Sequence, residues 1–250
     1  MTLFHGRCDG TFQSEMSSPQ AYESYDFSPA DLNADGYLDL AFLRFNSLLI
    51  VLNDGHGHFL APTTYPIPGM LSSALHLDLA DHDGDGILDA AVQVHEPDQL
   101  LLYSGEGNGA FHLRTTVSLP YWPAGVSSGD LNGDGLIDFA VADGGGATVV
   151  LARSDGSYAT TEVDLQVGPT TRVNVLDMNG DHVPDILSWF GQGVSVALGV
   201  GDGTFATPAL PYQPGSWVLG PVADFNRDGA PDIAFVSNGT LRVLLNGCRK

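Results

Sequence analysis

A nine-residue phrase rich in aspartate occurs five times in the chain, and its copies begin at Asp31, Asp81, Asp130, Asp177 and Asp224. Each copy carries aspartate or asparagine at positions 1, 3, 5 and 9, and four of the five carry glycine at position 6. Ca²⁺ takes about six to eight oxygen ligands from carboxylates, amides, backbone carbonyls and water. Position 7 is apolar or aromatic in every copy, so we expect it to contribute its backbone carbonyl.

These five phrases, called Asp loops 1 to 5 below, therefore predict up to five calcium sites. The expected ligand residues are Asp31, Asn33, Asp35, Tyr37 and Asp39 in loop 1; Asp81, Asp83, Asp85, Ile87 and Asp89 in loop 2; Asp130, Asn132, Asp134, Leu136 and Asp138 in loop 3; Asp177, Asn179, Asp181, Val183 and Asp185 in loop 4; and Asp224, Asn226, Asp228, Ala230 and Asp232 in loop 5.

Two other structures could place aspartates at this spacing. An EF-hand needs a glutamate at position 12 and flanking helices. Position 12 is Phe, Val, Val, Ser and Phe in the five copies, which excludes an EF-hand. The aspartate at position 9 is therefore the expected closing ligand. The other alternative is a set of Asp-rich turns that only cap strands. Five copies at a fixed period favour the metal site. Loop 4 is the weakest copy, because His182 stands where the others have glycine.

The net charge of the 250-residue chain, −21, agrees with bound cations. Sixteen of the 30 acidic residues lie inside the five Asp loops, and five Ca²⁺ ions would reduce the charge to −11. The excess of acid argues against a nucleic-acid or anionic-membrane partner, since phosphate binding needs clustered Lys and Arg. A membrane span is also excluded, because the sequence contains no run of about 18 apolar residues.

Short β-prone runs flank each Asp loop, and a Gly-rich turn phrase follows about 20 residues later, as at 54–59 and 201–205. Four strands in each period of 47 to 50 residues are typical of a propeller blade. The sequence therefore predicts an all-β fold: one five-bladed β-propeller domain over 1–250, with four-stranded antiparallel blades. The blades are expected at 24–66, 73–119, 123–167, 170–212 and 217–250 plus 1–20, so that the N-terminal segment completes the last blade.

Cys8 and Cys248, the two cysteines, fall at this expected seam. In an oxidising compartment they would form a disulfide that closes the ring. The alternative is two unrelated thiols.

The Asp loop D-x-[DN]-x-D-G-x-x-D followed by G-x-G-x-F resembles the FG-GAP (VCBS) repeats of integrin α-subunit propellers. It is also similar to the repeats of mushroom lectins with an integrin-like propeller. The resemblance covers essentially the whole chain. It implies a calcium-binding β-propeller, usually extracellular, that works in adhesion or carbohydrate binding.

A ligand surface is expected on the face opposite the Asp loops, where turns between second and third strands meet the connections between blades. This face collects seven aromatic residues: Tyr22, Tyr25, Tyr65, Tyr121, Trp122, Tyr212 and Trp217. The candidates for a saccharide or protein site are Tyr121, Trp122, Tyr212 and Trp217. The favoured alternative is that these rings fill wedges between blades.

The sequence predicts a secreted or cell-surface binding module, monomeric, rather than an enzyme. A lectin-like function leads, protein–protein adhesion follows, and a propeller-fold polysaccharide lyase or dehydratase is the enzymatic alternative. The chain contains no G-x-S-x-G, H-E-x-x-H or P-loop motif.

Overall fold

The structure, a computed structural model, describes residues 2–6, 9–17, 24, 26–44, 46–68, 76–165, 167–191, 193–206, 210–212, 217–218, 220–237 and 239–247. All regular elements within these ranges are β-strands. The described part of the chain accordingly holds no helix that could cross a membrane.

The strands form a two-stranded hairpin and five sheets. The hairpin contains β1 (Thr2–Gly6) and β2 (Phe12–Ser17). Blade 1 contains β3 (Asp26–Ala30), β4 (Asp39–Arg44), β5 (Ser47–Val51) and β6 (Thr63–Pro66). Blade 2 contains β7 (His76–Ala80), β8 (Asp89–Val94), β9 (Gln99–Gly105) and β10 (Phe111–Ser118). Blade 3 contains β11 (Gly125–Gly129), β12 (Asp138–Ala142), β13 (Ala147–Ala152) and β14 (Tyr158–Val163). Blade 4 contains β15 (Thr170–Leu176), β16 (Asp185–Phe190), β17 (Gly193–Ala197) and β18 (Leu210–Tyr212). Blade 5 contains β19 (Trp217–Val218), β20 (Val222–Ala223), β21 (Asp232–Ser237) and β22 (Thr240–Leu244).

The second strand of each blade lies between the first and third strands of its sheet. In β8, β12 and β16 every residue is buried. Continuous short runs of Ala, Val, Ile and Phe bounded by turns are typical of strands covered on both faces. Outer strands differ, and β10 exposes most of its residues to solvent. Burial therefore decreases from the middle of each blade to its outer edge.

Neighbouring blades pack face to face in chain order. Leu43 and Ile50 of blade 1 share a cluster with Val92 and Leu101 of blade 2. The opposite face of blade 2 packs against Phe139 and other residues of blade 3. Further clusters join blade 3 to blade 4 and blade 4 to blade 5. This arrangement of five antiparallel sheets is consistent with the predicted five-bladed propeller, and the predicted all-β fold is confirmed.

Blade 5 differs from the other four blades. Its innermost strand is divided into β19 and β20, which both pair with β21. Its third strand, β22, exposes four of its five residues, whereas β5 and β13 are largely buried. Among the described residues, β22 pairs with β21 alone and no fourth strand covers it.

The N-terminal hairpin has the geometry of an outer half-blade. Gly6 pairs with Phe12, the same offset as Gly105 with Phe111 and Ala152 with Tyr158 between third and fourth strands elsewhere. The hairpin thus contains β1, a third-strand equivalent that the sequence did not predict, in addition to the expected fourth strand β2. No described pairing joins β2 to β22. Ring closure by the N-terminal segment stays a prediction, and Cys8 and Cys248 lie outside the described residues.

Candidate metal loops and ligand surfaces

Each Asp loop connects the first and second strands of its blade. The aspartate at position 9 is the first residue of the second strand in all five blades, as in β12, which begins at Asp138. Tight turns with several polar side chains form here because aspartate and asparagine accept hydrogen bonds from the backbone two to five residues ahead.

Loop 3 illustrates how the backbone folds around the carboxylates. Gly133 N and Asp134 N donate to Asp130 Oδ1 at 2.7 and 3.2 Å. Gly135 N donates to Asp130 Oδ2 at 2.9 Å, and Leu136 N donates to Asp134 Oδ1 at 2.9 Å. The bond from the position-6 N–H to the position-1 carboxylate recurs in the other four loops. The local sequence therefore preorganises the carboxylate oxygens.

Two positions of each Asp loop adopt left-handed backbone. Position 6 was expected from its glycine, and His182 takes φ 69° there in loop 4. Loop 4 still forms the shared hydrogen bond, from His182 N to Asp177 Oδ2 at 2.9 Å. Position 4 is also left-handed, including Ala34 at φ 58° and Arg227 at φ 62°, which the sequence analysis did not recognise. A non-glycine residue in this region costs about 1 kcal/mol.

The aspartate at position 9 has a structural role that the sequence analysis missed. Asp138 is fully buried, and its two oxygens accept N–H bonds from Leu131 at 3.0 Å and Ala152 at 2.8 Å. The other four loops repeat this pair of bonds with the equivalent residues. The carboxylate thus ties its loop to the end of the third strand. The available signal in the sequence was the similar offset from this aspartate to the strand end, 14 residues in four blades and 16 in blade 2.

The donor set fits a hard cation best in loop 2. Asp81, Asp83 and Asp89 each offer a carboxylate oxygen, and these oxygens lie within 4.8 Å of one another. Loop 2 has aspartate at position 3, where the other loops have asparagine. An ionised carboxylate has about four lone-pair sites, so accepting N–H bonds leaves capacity for a metal.

The electrostatics of the loops favour a cation. Burial raises the pKa of Asp138 to about 6, with a further contribution from the neighbouring charges of Asp134 and Asp130. Burial also raises the pKa values of Asp89 and Asp185, and nearby carboxylates add to both shifts. Clustered carboxylates of this kind are stabilised in their ionised form by a bound cation.

The opposite face exposes two of the predicted ligand residues. Tyr121 and Trp122, in the connection between blades 2 and 3, are 54% and 73% exposed. The ring of Trp122 lies 5.3 Å from that of His95, and His95 Nδ1 is hydrogen-bonded to Asp98. These two aromatic rings are therefore not fillers between blades.

A cavity of about 490 Å³ opens beside Tyr121. Its lining includes Asp143 and Gly145 from the turn between β12 and β13, together with Glu162 and Asp164. Asp143 is buried and accepts bonds from Thr148 Oγ1 and Gly145 N, both at 2.8 Å. The site therefore combines an exposed aromatic surface with carboxylates, a pattern suited to polyhydroxylated ligands.

The other predicted ligand residues are placed differently. Tyr212 is 42% exposed, and its ring lies 6.4 Å from that of Phe235. The side chain of Trp217 is not among the described residues. Tyr65, from the same aromatic set, packs edge-to-face on Phe111 at 6.1 Å in the core between blades 1 and 2. Tyr65 therefore fills space between blades. Tyr212 belongs to blade 4 and is not part of the exposed surface formed by Tyr121 and Trp122 between blades 2 and 3.

Five stacked sheets with an Asp loop at the same point of each define a repeat β-propeller. The chain belongs to the FG-GAP-like repeat family, whose model matches residues 31–92, 130–188 and 177–235. These matches span more than half of the chain and confirm the resemblance found in the sequence.

A solved lectin structure shares the fold. The chain is similar to an Agrocybe aegerita lectin described as specifically recognising non-reducing terminal N-acetylglucosamine, with a TM-score of 0.66 and 20% identity, covering 99% of this chain and 75% of that one. A Photorhabdus luminescens Tc holotoxin pore gives a TM-score of 0.40 and 14% identity, covering 97% of this chain and 16% of that one. Curated protein sequences give no significant match.

Proposed function

We propose that this chain is a calcium-stabilised, extracellular, carbohydrate-binding propeller that acts as a binding module and not as an enzyme. The observation that carries the binding function is the exposed pair Tyr121 and Trp122 beside a cavity of about 490 Å³ lined by carboxylates. Aromatic rings stack on the apolar faces of sugars, and carboxylates accept bonds from sugar hydroxyls.

The similarity in fold to the Agrocybe lectin supports a carbohydrate ligand, and terminal N-acetylglucosamine is the first ligand to test. The Asp loops support calcium, since loop 2 gathers three carboxylates and burial raises the pKa values of Asp89, Asp138 and Asp185. Exposed Asp loops of this kind suit the weak calcium sites of extracellular modules, which operate at about 10⁻⁴–10⁻³ M calcium.

A glycan array with calcium present tests the binding function. We expect the wild-type protein to bind saccharides and Trp122→Ala to lose most of that binding, because the exposed ring provides the stacking surface. Leu113→Ala is the matched control, since Leu113 is also an exposed apolar residue, 42% exposed, in blade 2. A folded Trp122→Ala protein that binds as well as the wild type would contradict the proposed site.

The calcium proposal has its own test. A ligand that binds only the folded state stabilises it by RT ln(1 + [L]/Kd). We therefore expect calcium to raise the melting temperature and a chelator to reverse the increase. An unchanged melting temperature over millimolar calcium would refute a structural role for the ions.

A further inference from the structure

The junction between blades 2 and 3 differs from its neighbours on the Asp-loop face. In blades 2 and 4 the turn before the fourth strand docks on the preceding blade, through Gly109 N to Leu32 O at 3.0 Å and Gly203 N to Leu131 O at 3.1 Å. The equivalent residue of blade 3, Gly156, donates instead to Arg153 O at 2.8 Å, within its own turn. The turn of blade 3 therefore closes on itself.

The space around these glycines also shows that the turns of blades 2 and 4 are packed and the turn of blade 3 is not. A Cβ atom at Gly109 would lie 2.7 Å from Leu52, and one at Gly203 would lie 2.8 Å from Leu151. A Cβ atom at Gly156 would meet nothing within 4 Å. The detached turn leaves an open cleft of about 420 Å³ between blades 2 and 3.

Two arginines line this cleft, although the whole chain has only nine basic residues. Arg114 lies at a β-bulge in β10, where the pairing register shifts between Leu113 and Thr115. Bulges re-aim side chains and are enriched beside functional sites. Arg153 follows β13, at the position occupied by Asp54, Glu106 and Val200 in blades 1, 2 and 4. Arg153 therefore has no basic counterpart in blades 1, 2 and 4.

Contacts hold Arg114 across the junction and leave Arg153 available. Arg114 Nη1 donates to Asp83 Oδ2 at 3.0 Å, and its Nη2 donates to Tyr158 Oη at 3.1 Å. Arginine has five N–H donors, so the guanidinium retains free ones. Within the described part of the chain, Arg153 has no carboxylate within ion-pair distance. Its charge contributes, after the bonds from Ser157, to lowering the pKa of the exposed Asp155.

A buried histidine forms part of the lining. His82 is 6% exposed, and its Nε2 lies 3.1 Å from Asp78 Oδ2. Its side chain is buried, so it shapes the cleft and offers no hydrogen bond to a ligand. Leu136, Ile137 and the Tyr158 ring supply the apolar part of the lining.

We infer that this cleft is a second binding site, for a saccharide that carries a carboxylate or sulfate group. The guanidinium groups of Arg114 and Arg153 receive the anion, and the Tyr158 hydroxyl, which accepts a bond from Arg114, donates its own proton to a sugar hydroxyl. Planar guanidinium groups bind carboxylates and sulfates through paired charge-assisted bonds. The choice of a saccharide rests on the proposed function, whereas the anionic group rests on the two arginines alone.

Calorimetric titration in calcium-containing buffer at physiological ionic strength tests the inference. The probes are a galacturonic acid trisaccharide, its methyl ester and a sulfated galactose trisaccharide. We expect saturable binding of at least one acidic probe, and the ester to bind at least about tenfold more weakly, because it lacks the charge. Whichever acidic probe binds identifies the anion.

Matched variants locate the site. Arg153→Gln should weaken binding of the acidic probe by about tenfold or more, since it removes a charged donor from an exposed position. Arg242→Gln, on the exposed strand β22, is the control and should bind as the wild type does. Trp122→Ala should also leave this binding intact, which separates a failure here from a failure of the proposed function. Equal binding by Arg153→Gln, equal binding of the ester, or no binding of either acidic probe would each overturn the inference.

Discussion

Removing the buried carboxylate of loop 3 should lower the free energy of unfolding even when no metal is bound. Asp138→Ala leaves the N–H groups of Leu131 and Ala152 without their acceptor, at a point where the carboxylate itself is fully buried. Each buried unpaired donor costs about 1–3 kcal/mol, so the two together cost about 2–6 kcal/mol. Part of this loss is offset, because the pKa of Asp138 near 6 shows that its charge is itself disfavoured when no cation is bound. A shift of about two pKa units is worth about 3 kcal/mol at neutral pH, so we expect a net loss of up to about 3 kcal/mol.

Urea denaturation in the presence of a chelator measures this loss directly. For a protein of this size, about 3 kcal/mol corresponds to a fall in melting temperature of about 6–12 °C. Asp138→Asn should lose less, because asparagine retains one acceptor oxygen.

Asp134→Asn is the matched control in the same loop. Asparagine preserves the Oδ1 acceptor that Leu136 N uses, and position 5 is exposed. In chelator we expect a change within about 0.5 kcal/mol. In calcium, Asp134→Asn should lose stability, because it removes a charged ligand. If Asp138→Ala matched the wild type in chelator and was weaker only in calcium, Asp138 would be a metal ligand alone and the role as a structural tie would be refuted.

Four further predictions follow from named contacts. The folded pKa of Asp138, about 6, exceeds its ordinary value of 3.8, so the cost of ionising this buried carboxylate is absent below pH 3.8 and complete above pH 6. The stability of the metal-free protein should therefore decline across that window, and the increase in melting temperature caused by calcium should grow with pH. A calcium effect that stays constant with pH would contradict the raised pKa. Gly109→Ala should cost more than Gly156→Ala, since both have φ near +82° but only Gly109 meets Leu52; equal urea midpoints would count against the detached turn. His182→Gly should stabilise loop 4 by up to about 1 kcal/mol in calorimetry, by relieving its positive φ, and a lower melting temperature would be inconsistent with that strain. Mass spectrometry of the unreduced protein should find Cys8 linked to Cys248; two alkylated thiols would rule the seam disulfide out.

The sequence by itself determined the repeated elements. The spacing of the Asp loops and the apolar runs beside them predicted four strands per repeat and five sheets, because strand pairing and tight turns depend on residues close in the chain. It also predicted which turns share a face, since successive antiparallel strands alternate direction. The ligand atoms of a single Asp loop lie within nine residues, so their grouping was also accessible.

Only the tertiary structure decided what happens between repeats. Tyr65 and Tyr121 belong to one aromatic set in the sequence, yet the first is packed in the core and the second is exposed, because burial depends on how neighbouring blades meet. The sequence predicts Asp138 as a metal ligand. Its hydrogen bonds from the N–H groups of Leu131 and Ala152 could be identified only from the tertiary structure. The cleft at Arg114 and Arg153 exists because one turn bonds to itself instead of to the adjacent blade. A repeat sequence specifies its blades locally, whereas contacts between blades join residues far apart in the chain, and small differences in those contacts distinguish one junction from the next.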